Sequence, residues 1–277
     1  MIGIMRKSRI FIIIVLLAFH EGAPVGVQLS SDEVARRPFW EGFLRSAKIH
    51  GSEDVGEGVT KPKKLLLRKD DVEAFAIWKR PAALGAEMTD RWECEIAAYR
   101  LDKLLDLNMV PPTVERRYRL NTGSLQLWVD VPMSEKKMAD EKIPVPEDRF
   151  DNYDKMRSLQ RAFDSLIANA DRSLQNLRYT ADWRMILIDH SRSFRDSYPF
   201  VDQLIYGKNG LRSKQSFGRL PRGFVDKVRA LDYQMIRSAV ENYLTGYQIK
   251  AVLFRRDLLL KEIDDLIAEK GESAVLY

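Results

Sequence analysis

The stretch DSLIANADRSLQNLRYTADWRMILIDHSRSF, residues 164–194, decides how the rest of the chain is read. Asp171 and Asn176 fall in a polar, turn-like segment, and the apolar strand at residues 185–188 then ends at Asp189. Three oxygen-bearing side chains, each able to act as a base or to hold a hard cation, thus flank one hydrophobic hairpin, a geometry suited to phosphoryl transfer. A buried strand fixes the carboxylate at its polar end, which is what a metal ligand requires. On spacing alone a plainer reading also stands, in which Asp and Asn merely shape turns. Arg172, beside Asp171, can satisfy phosphates or acidic loops.

Upstream of this stretch, residues 148–167 read as a helix with Met156, Leu159, Phe163, Leu166 and Ile167 on its buried side. Residues 134–146 are charged and carry Pro144 and Pro146, and this shift in composition marks a boundary between lobes at 30–133 and 134–277. Further upstream, residues 49–79 read as three strands. The last, EAFAIWK, alternates Phe75, Ile77 and Lys79 on one face with Ala76 and Trp78 on the other. A lysine on the apolar face of a strand must be paired or must snorkel to the edge. In the preceding DVGEGVT segment, Gly56 and Gly58 allow close backbone approach to phosphates, although a pair of glycines equally suits an ordinary turn.

A helix is expected from near Asp90 to Leu107, with Ile96, Ala97, Leu101, Leu104 and Leu105 as its buried stripe. Glu95 lies close to that stripe and is the carboxylate expected to meet Lys79, with Glu93 as the alternate. A strand at residues 114–120, a turn at Asn121-Thr122-Gly123 and a second strand at residues 124–131 follow as a hairpin. Residues 131–133, including Val131 and Met133, would offer exposed backbone groups to a planar base between the lobes. Phe39, Trp40, Phe43 and Leu44 suit a helix covering the first sheet. Beyond Pro199 the chain is mostly helical, and Arg255, Arg256 and Asp257 read as a solvated or intramolecular ion pair.

The whole chain, 277 residues with 45% hydrophobic and 31% charged residues, has an ordinary globular composition. Its net charge of +5 suits a phosphate-rich ligand or an anionic surface, but is also common in proteins that bind neither. The single cysteine, Cys94, excludes an intrachain disulfide and a cysteine-rich zinc site, and His20, His50 and His190 show no metal-ligand spacing. No nucleic-acid partner is expected. Arg6, Lys7 and Arg9 precede an apolar run of only ten residues, 10–19. A full span needs about 20, so residues 1–29 read as a secretion signal or a membrane anchor, with a buried strand or a misassigned start as alternatives. An exported or anchored chain is expected. If it is a bacterial ATP enzyme, the working part must face the cytoplasm.

Taken together, Lys79, CEIAAYRLDKLL with Glu95, Pro111-Pro112, GSLQLWV, ANADRSLQN and LIDHSRSF resemble the atypical protein/lipid kinase-like superfamily. Its members include phosphatidylinositol 3-/4-kinases, HipA-type kinases and Fam20-type kinases. The resemblance covers residues 50–200. It implies an α+β, two-lobed protein-kinase-like fold, with a small antiparallel β lobe holding one main helix and a larger, mostly helical lobe. By the same resemblance Lys79 binds ATP phosphates, Glu95 positions Lys79, and Asp171 is the catalytic aspartate. Asn176 and Asp189 hold Mg²⁺ or Mn²⁺, while Gly56, Gly58, Ile77, Val131 and Met133 line the nucleotide site.

The implied activity is transfer of the ATP γ-phosphoryl group to an acceptor hydroxyl, with protein Ser/Thr favoured over lipid. A nucleotide-binding pseudokinase, an AMP transferase and an anchored structural domain are the alternatives. The chain also departs from the pattern. His190 and Ser191 stand where a standard kinase has Phe and Gly, Ser173 follows Asp-Arg where several relatives have His or Asn, and one cysteine weighs against a disulfide-laced Fam20-type enzyme. The subfamily stays open.

Overall fold

The structure, a computed structural model, describes residues 30–55, 62–80 and 90–277. Gly56, Gly58 and the apolar run at residues 10–19 lie outside the described residues. Two short helices come first, α1 (Ser31–Ala35) and α2 (Arg37–Ser46). A capping box between Ser30 and Glu33 starts α1 by satisfying backbone donors that a helix start leaves free. Three strands follow, β1 (Lys48–Asp54), β2 (Lys63–Lys69) and β3 (Val72–Lys79). After helix α3 (Trp92–Leu104), strands β4 (Thr113–Tyr118) and β5 (Asn121–Leu127) complete an antiparallel sheet in the order β1-β2-β3-β5-β4.

The alternation of EAFAIWK decides how this sheet packs. Ala76 and Trp78 point into a small core with Leu65, Leu67, Val114 and Leu125, which Phe43 and Leu44 of α2 cover. The opposite face carries Ile77 and Lys79 and is the one that can look into a cleft. Helix α3 lies near β4 and β5, but its apolar side chains, among them Cys94, Ala97, Ala98 and Leu101, belong to the core of the larger lobe.

The hairpin of β4 and β5 differs from the sequence expectation. The turn is Arg119-Leu120, with Arg119 at a left-handed φ of 54°, and Tyr118 pairs with Asn121. Asn121 and Gly123 are therefore strand residues, and β5 stops at Leu127 instead of reaching residue 131. Gly123 is needed for a different reason: a Cβ there would sit 2.3 Å from the carbonyl oxygen of Lys79. The glycine allows β3 and β5 to approach where Lys79 leaves the sheet.

The larger lobe opens with β6 (Met133–Ser134) and α4 (Glu135–Glu141), then α5 (Phe150–Leu166). Strands β7 (Leu177–Tyr179) and β8 (Met185–Leu187) form the hairpin around which the sequence was read, with β6 on its edge. Four further helices, α6 (Arg222–Ala230), α7 (Tyr233–Val240), α8 (Gly246–Lys270) and α9 (Glu272–Val275), complete the lobe. The large core joins α5, both hairpin strands and the apolar faces of α6, α7 and α8.

Within α8, Arg255 departs from the expected solvated charge. It is fully buried and donates to the carbonyls of Leu166, Arg195 and Phe200, each at 2.9 Å. Buried carbonyls that no regular element pairs need such a donor, and the guanidinium ties the end of α5 to the loop after Asp189. Burial pushes its pKa down to about 9. Arg256 and Asp257 do form a local ion pair, 2.6 Å apart.

Candidate active site

Lys79 is the last residue of β3 and is only 14% exposed. Its ammonium lies 2.7 Å from Glu95 Oε1 and 2.8 Å from Asp189 Oδ1. Burial alone would lower the lysine pKa, but the charges of Glu95 and Asp189 hold it well above the ordinary range. Glu95, on the first turns of α3, is also buried. Burial would raise its pKa, yet the Lys79 charge and the hydrogen bonds it accepts keep the carboxyl well below the usual carboxylate range. Glu93 instead faces Arg91, 3.7 Å away.

Asp189 follows β8 in a left-handed conformation, φ 62°, and is 40% exposed. While Oδ1 meets Lys79, Oδ2 faces the side-chain amide of Asn176 at 3.4 Å. Lys79, Glu95, Asn176 and Asp189 are therefore one connected cluster spanning both lobes. Asp171 stands beside it, exposed, with Oδ2 3.3 Å from Arg192 Nη1. Arg192 also donates from Nε to Asp90 at 2.9 Å, and Ser191 Oγ donates to Asp90 at 2.8 Å.

The loop that carries Asp171 and Asn176 is built around Arg172. Its guanidinium grips Asp164 of α5 through Nε and Nη2, both at 2.9 Å. Nη1 donates to the carbonyls of Ile188, 2.5 Å, and Asn176, 3.4 Å. Nη2 also contacts His190 Nε2 at 2.9 Å. Asp164 is further held by Asn169 at 3.1 Å and by Gln160. From the sequence, Arg172 stands out, and His190 as a departure from the kinase pattern, but nothing there gives a role to Asp164, Asn169, Asp90 or Arg192. The available signal was an aspartate at the apolar end of a helix, which demands a buried cation.

Ile77 lies on the same face of β3 as Lys79. Val131 and Met133 are half-buried; residues 128–132 lie between β5 and β6, and Met133 pairs with Tyr179. A groove of about 560 Å³ lies behind α3, lined by Glu41, Arg45, Tyr99 and Lys103 among others, and includes no residue of this cluster.

Among the described residues, no group of three or more His, Cys, Asp or Glu side chains converges as a metal site. A divalent cation here would take the Asp189 carboxylate and the Asn176 amide oxygen, with phosphate and water oxygens completing its shell. That hard, oxygen-only and incomplete donor set fits Mg²⁺ or Mn²⁺.

No protein-family model matches the chain, and no curated protein matches it by sequence. Solved structures are similar in fold. A hydra Fam20 structure with sugar is 17% identical, with a TM-score of 0.67, over 92% of this chain and 95% of that one. A Golgi casein kinase structure with Mn/ADP bound is 14% identical, with a TM-score of 0.63, over 91% and 80%. Another structure of the Golgi casein kinase gives 0.60 at 14% identity, over 87% and 79%. With its five-stranded small lobe and its mostly helical large lobe, the chain shares the two-lobed, kinase-like fold of these Fam20 and Golgi casein kinase structures.

Proposed function

We propose that the chain is an atypical kinase that transfers the γ-phosphoryl group of ATP to an acceptor hydroxyl. The observation that carries this reading is the placement of the Lys79 ammonium between Glu95 and Asp189, with Asn176 against Asp189. Lys79 is oriented by Glu95 and binds ATP phosphates. Asn176 and Asp189 hold Mg²⁺ or Mn²⁺, and the cation supplies neutralisation of phosphate charge. The Mn/ADP present in the Golgi casein kinase structure supports that choice. Ile77, Val131 and Met133 line the base site.

Asp171 accepts the proton of the acceptor hydroxyl as its oxygen forms the new bond to phosphorus and ADP departs. Its exposure suits a group that must meet a second substrate. Most of the rate enhancement in such a site comes from positioning and charge stabilisation. A protein Ser/Thr hydroxyl is the preferred acceptor. A sugar hydroxyl is the second reading, favoured by the fold likeness to a hydra Fam20 structure with sugar. Residues 1–29 serve as signal or anchor, which requires an ATP-supplied compartment for the rest.

The deciding experiment incubates the full chain with Mg²⁺ or Mn²⁺ and ATP labelled at either the γ- or the α-phosphate, with protein and sugar acceptors. Label transferred from the γ position and lost in Asp171→Asn is expected. Transfer of α-label instead would replace phosphorylation with AMP transfer. Nucleotide binding without transfer would leave a pseudokinase.

A further inference from the structure

His190 sits between the metal-binding Asp189 and Ser191, where burial of a polar ring demands an account. The residue is fully buried, and its ring lies edge-on to Phe163 at 6.4 Å between centroids. Its Nε2 is 2.9 Å from Arg172 Nη2. A guanidinium has five N–H donors and no acceptor, so in this contact Arg172 donates and His190 Nε2 accepts. The neutral imidazole must then carry its proton on Nδ1. That atom has no hydrogen-bond partner among the described residues, and it points to Glu95 Oε2 at 3.8 Å. The backbone N–H of His190 donates to the same oxygen at 3.0 Å.

Glu95 is thus held from two sides. Lys79 meets Oε1 from the sheet, and His190 meets Oε2 from the larger lobe. Behind His190 stands Arg172, whose remaining donors hold Asp164 and the carbonyls of Asn176 and Ile188. Asp164, Arg172 and the His190 ring are thus joined by side-chain contacts, and the His190 backbone N–H carries the link on to Glu95 and Lys79.

We propose that His190 is a positioning residue: its ring, held at Nε2 by Arg172, fixes the backbone N–H that it gives to Glu95, so the guanidinium that fixes the loop of Asn176 and the end of β8 also sets the Lys79–Glu95 pair. The proposal concerns the geometry of the site and rests on the kinase reading only for its nucleotide readout. Glutamine can present an acceptor where Nε2 lies, whereas leucine fills space without one. A role in packing alone ranks leucine at or above glutamine; a positioning role ranks glutamine above leucine.

The first test is the imidazole ¹⁵N spectrum of the nucleotide-free protein, with the His190 signals assigned by their loss in His190→Gln. A protonated Nδ1 and an unprotonated Nε2 are expected; the opposite tautomer or a doubly protonated ring overturns the proposal. The second test is hydrogen exchange of the amide at position 190, again without nucleotide. His190→Leu should exchange about tenfold faster than wild type, and His190→Gln should remain near wild type. Equal exchange in both variants overturns it.

The third test is MgADP affinity by calorimetry. It should weaken about 10- to 100-fold in His190→Leu, the scale seen when a group that supports a metal ligand is lost, and be largely retained in His190→Gln. If leucine binds MgADP as well as glutamine does, positioning is wrong. A wild-type chain that binds no MgADP counts against the kinase reading, and the tautomer and exchange results then decide the role of His190.

Discussion

Arg172 and Asp164 form a two-pronged ion pair, with both bonds at 2.9 Å and side chains only 1% and 0% exposed. The pair binds the end of α5 to the loop that holds Asp171 and Asn176. Removing one partner leaves the other charge buried, which costs about 3–5 kcal/mol. Arg172→Leu is expected to lose stability on that scale in urea unfolding. The double variant Arg172→Leu with Asp164→Leu should recover much of the loss, because neither charge is then stranded. A single variant within about 1 kcal/mol of wild type would contradict the buried pair.

Glu95 makes stability depend on acidity. Its folded pKa lies below the unfolded value because Lys79 and the hydrogen bonds to the carboxylate outweigh burial. The unfolded chain therefore takes up the proton first as acid is added. This contribution is complete above the ordinary carboxyl range, about pH 4.5, and is lost as pH falls toward the folded value. In Lys79→Met the ammonium is absent and burial dominates, so the Glu95 pKa rises and the sign reverses. The stability gap between wild type and variant should be widest near neutrality and narrow toward about pH 4. Urea unfolding across that range is the check, and a constant gap would exclude the linkage.

Gly123 carries a steric prediction. A methyl group there meets the Lys79 carbonyl oxygen at 2.3 Å and Trp78 Cε2 at 3.0 Å. Gly123→Ala should destabilise by about 1–3 kcal/mol, as overpacking does, and should displace the residue that carries the ammonium. Gly223 in α6 has nothing within 4 Å of such a methyl. Gly223→Ala should be neutral or slightly stabilising, since alanine favours a helix. Thermal unfolding of the two variants side by side tests the contrast.

Lys79 and Asp189 face each other across the cleft at 2.8 Å. On the proposed kinase reading, wild-type protein at about 100 times its Kd for MgATP should gain about 2.7 kcal/mol of stability. Lys79→Met and Asp189→Asn should each lose most of that gain, and Asp189→Asn should lower turnover by about 10³-fold or more. A thermal shift that survives in both variants would remove these residues from the nucleotide site.

Much of this was legible in the chain because residue type and strand period carry it. The alternation of EAFAIWK put Lys79 opposite Ala76 and Trp78, as the small core requires. Asp171, Asn176 and Asp189 stood out as oxygen donors around one apolar hairpin. Asn-Thr-Gly has turn chemistry and so suggests a turn, whereas Gly123 is needed for strand approach, which spacing does not reveal. Arg255 sits in a charged run, Arg-Arg-Asp, and only the tertiary fold selects which arginine is buried. His190 was equally opaque: its partners Glu95 and Arg172 lie 95 and 18 residues away in sequence.

The two hydrophobic cores are unequal, and the dividing line passes between the sheet and α3. Phe43, Leu44, Leu65, Leu67, Ala76, Trp78, Val114 and Leu125 are in the small core, while Cys94, Ala97 and Leu101 of α3 belong with the large one. A region with less buried apolar contact opens at lower free energy than the rest. The sheet can therefore fray as a unit, taking Lys79 with it and leaving Glu95, Asn176 and Asp189 in place. A ligand bridging Lys79 and Asp189 would then act as a clamp on the weaker part, slowing amide exchange most in β1, β2 and β3 and least in α5 and α8.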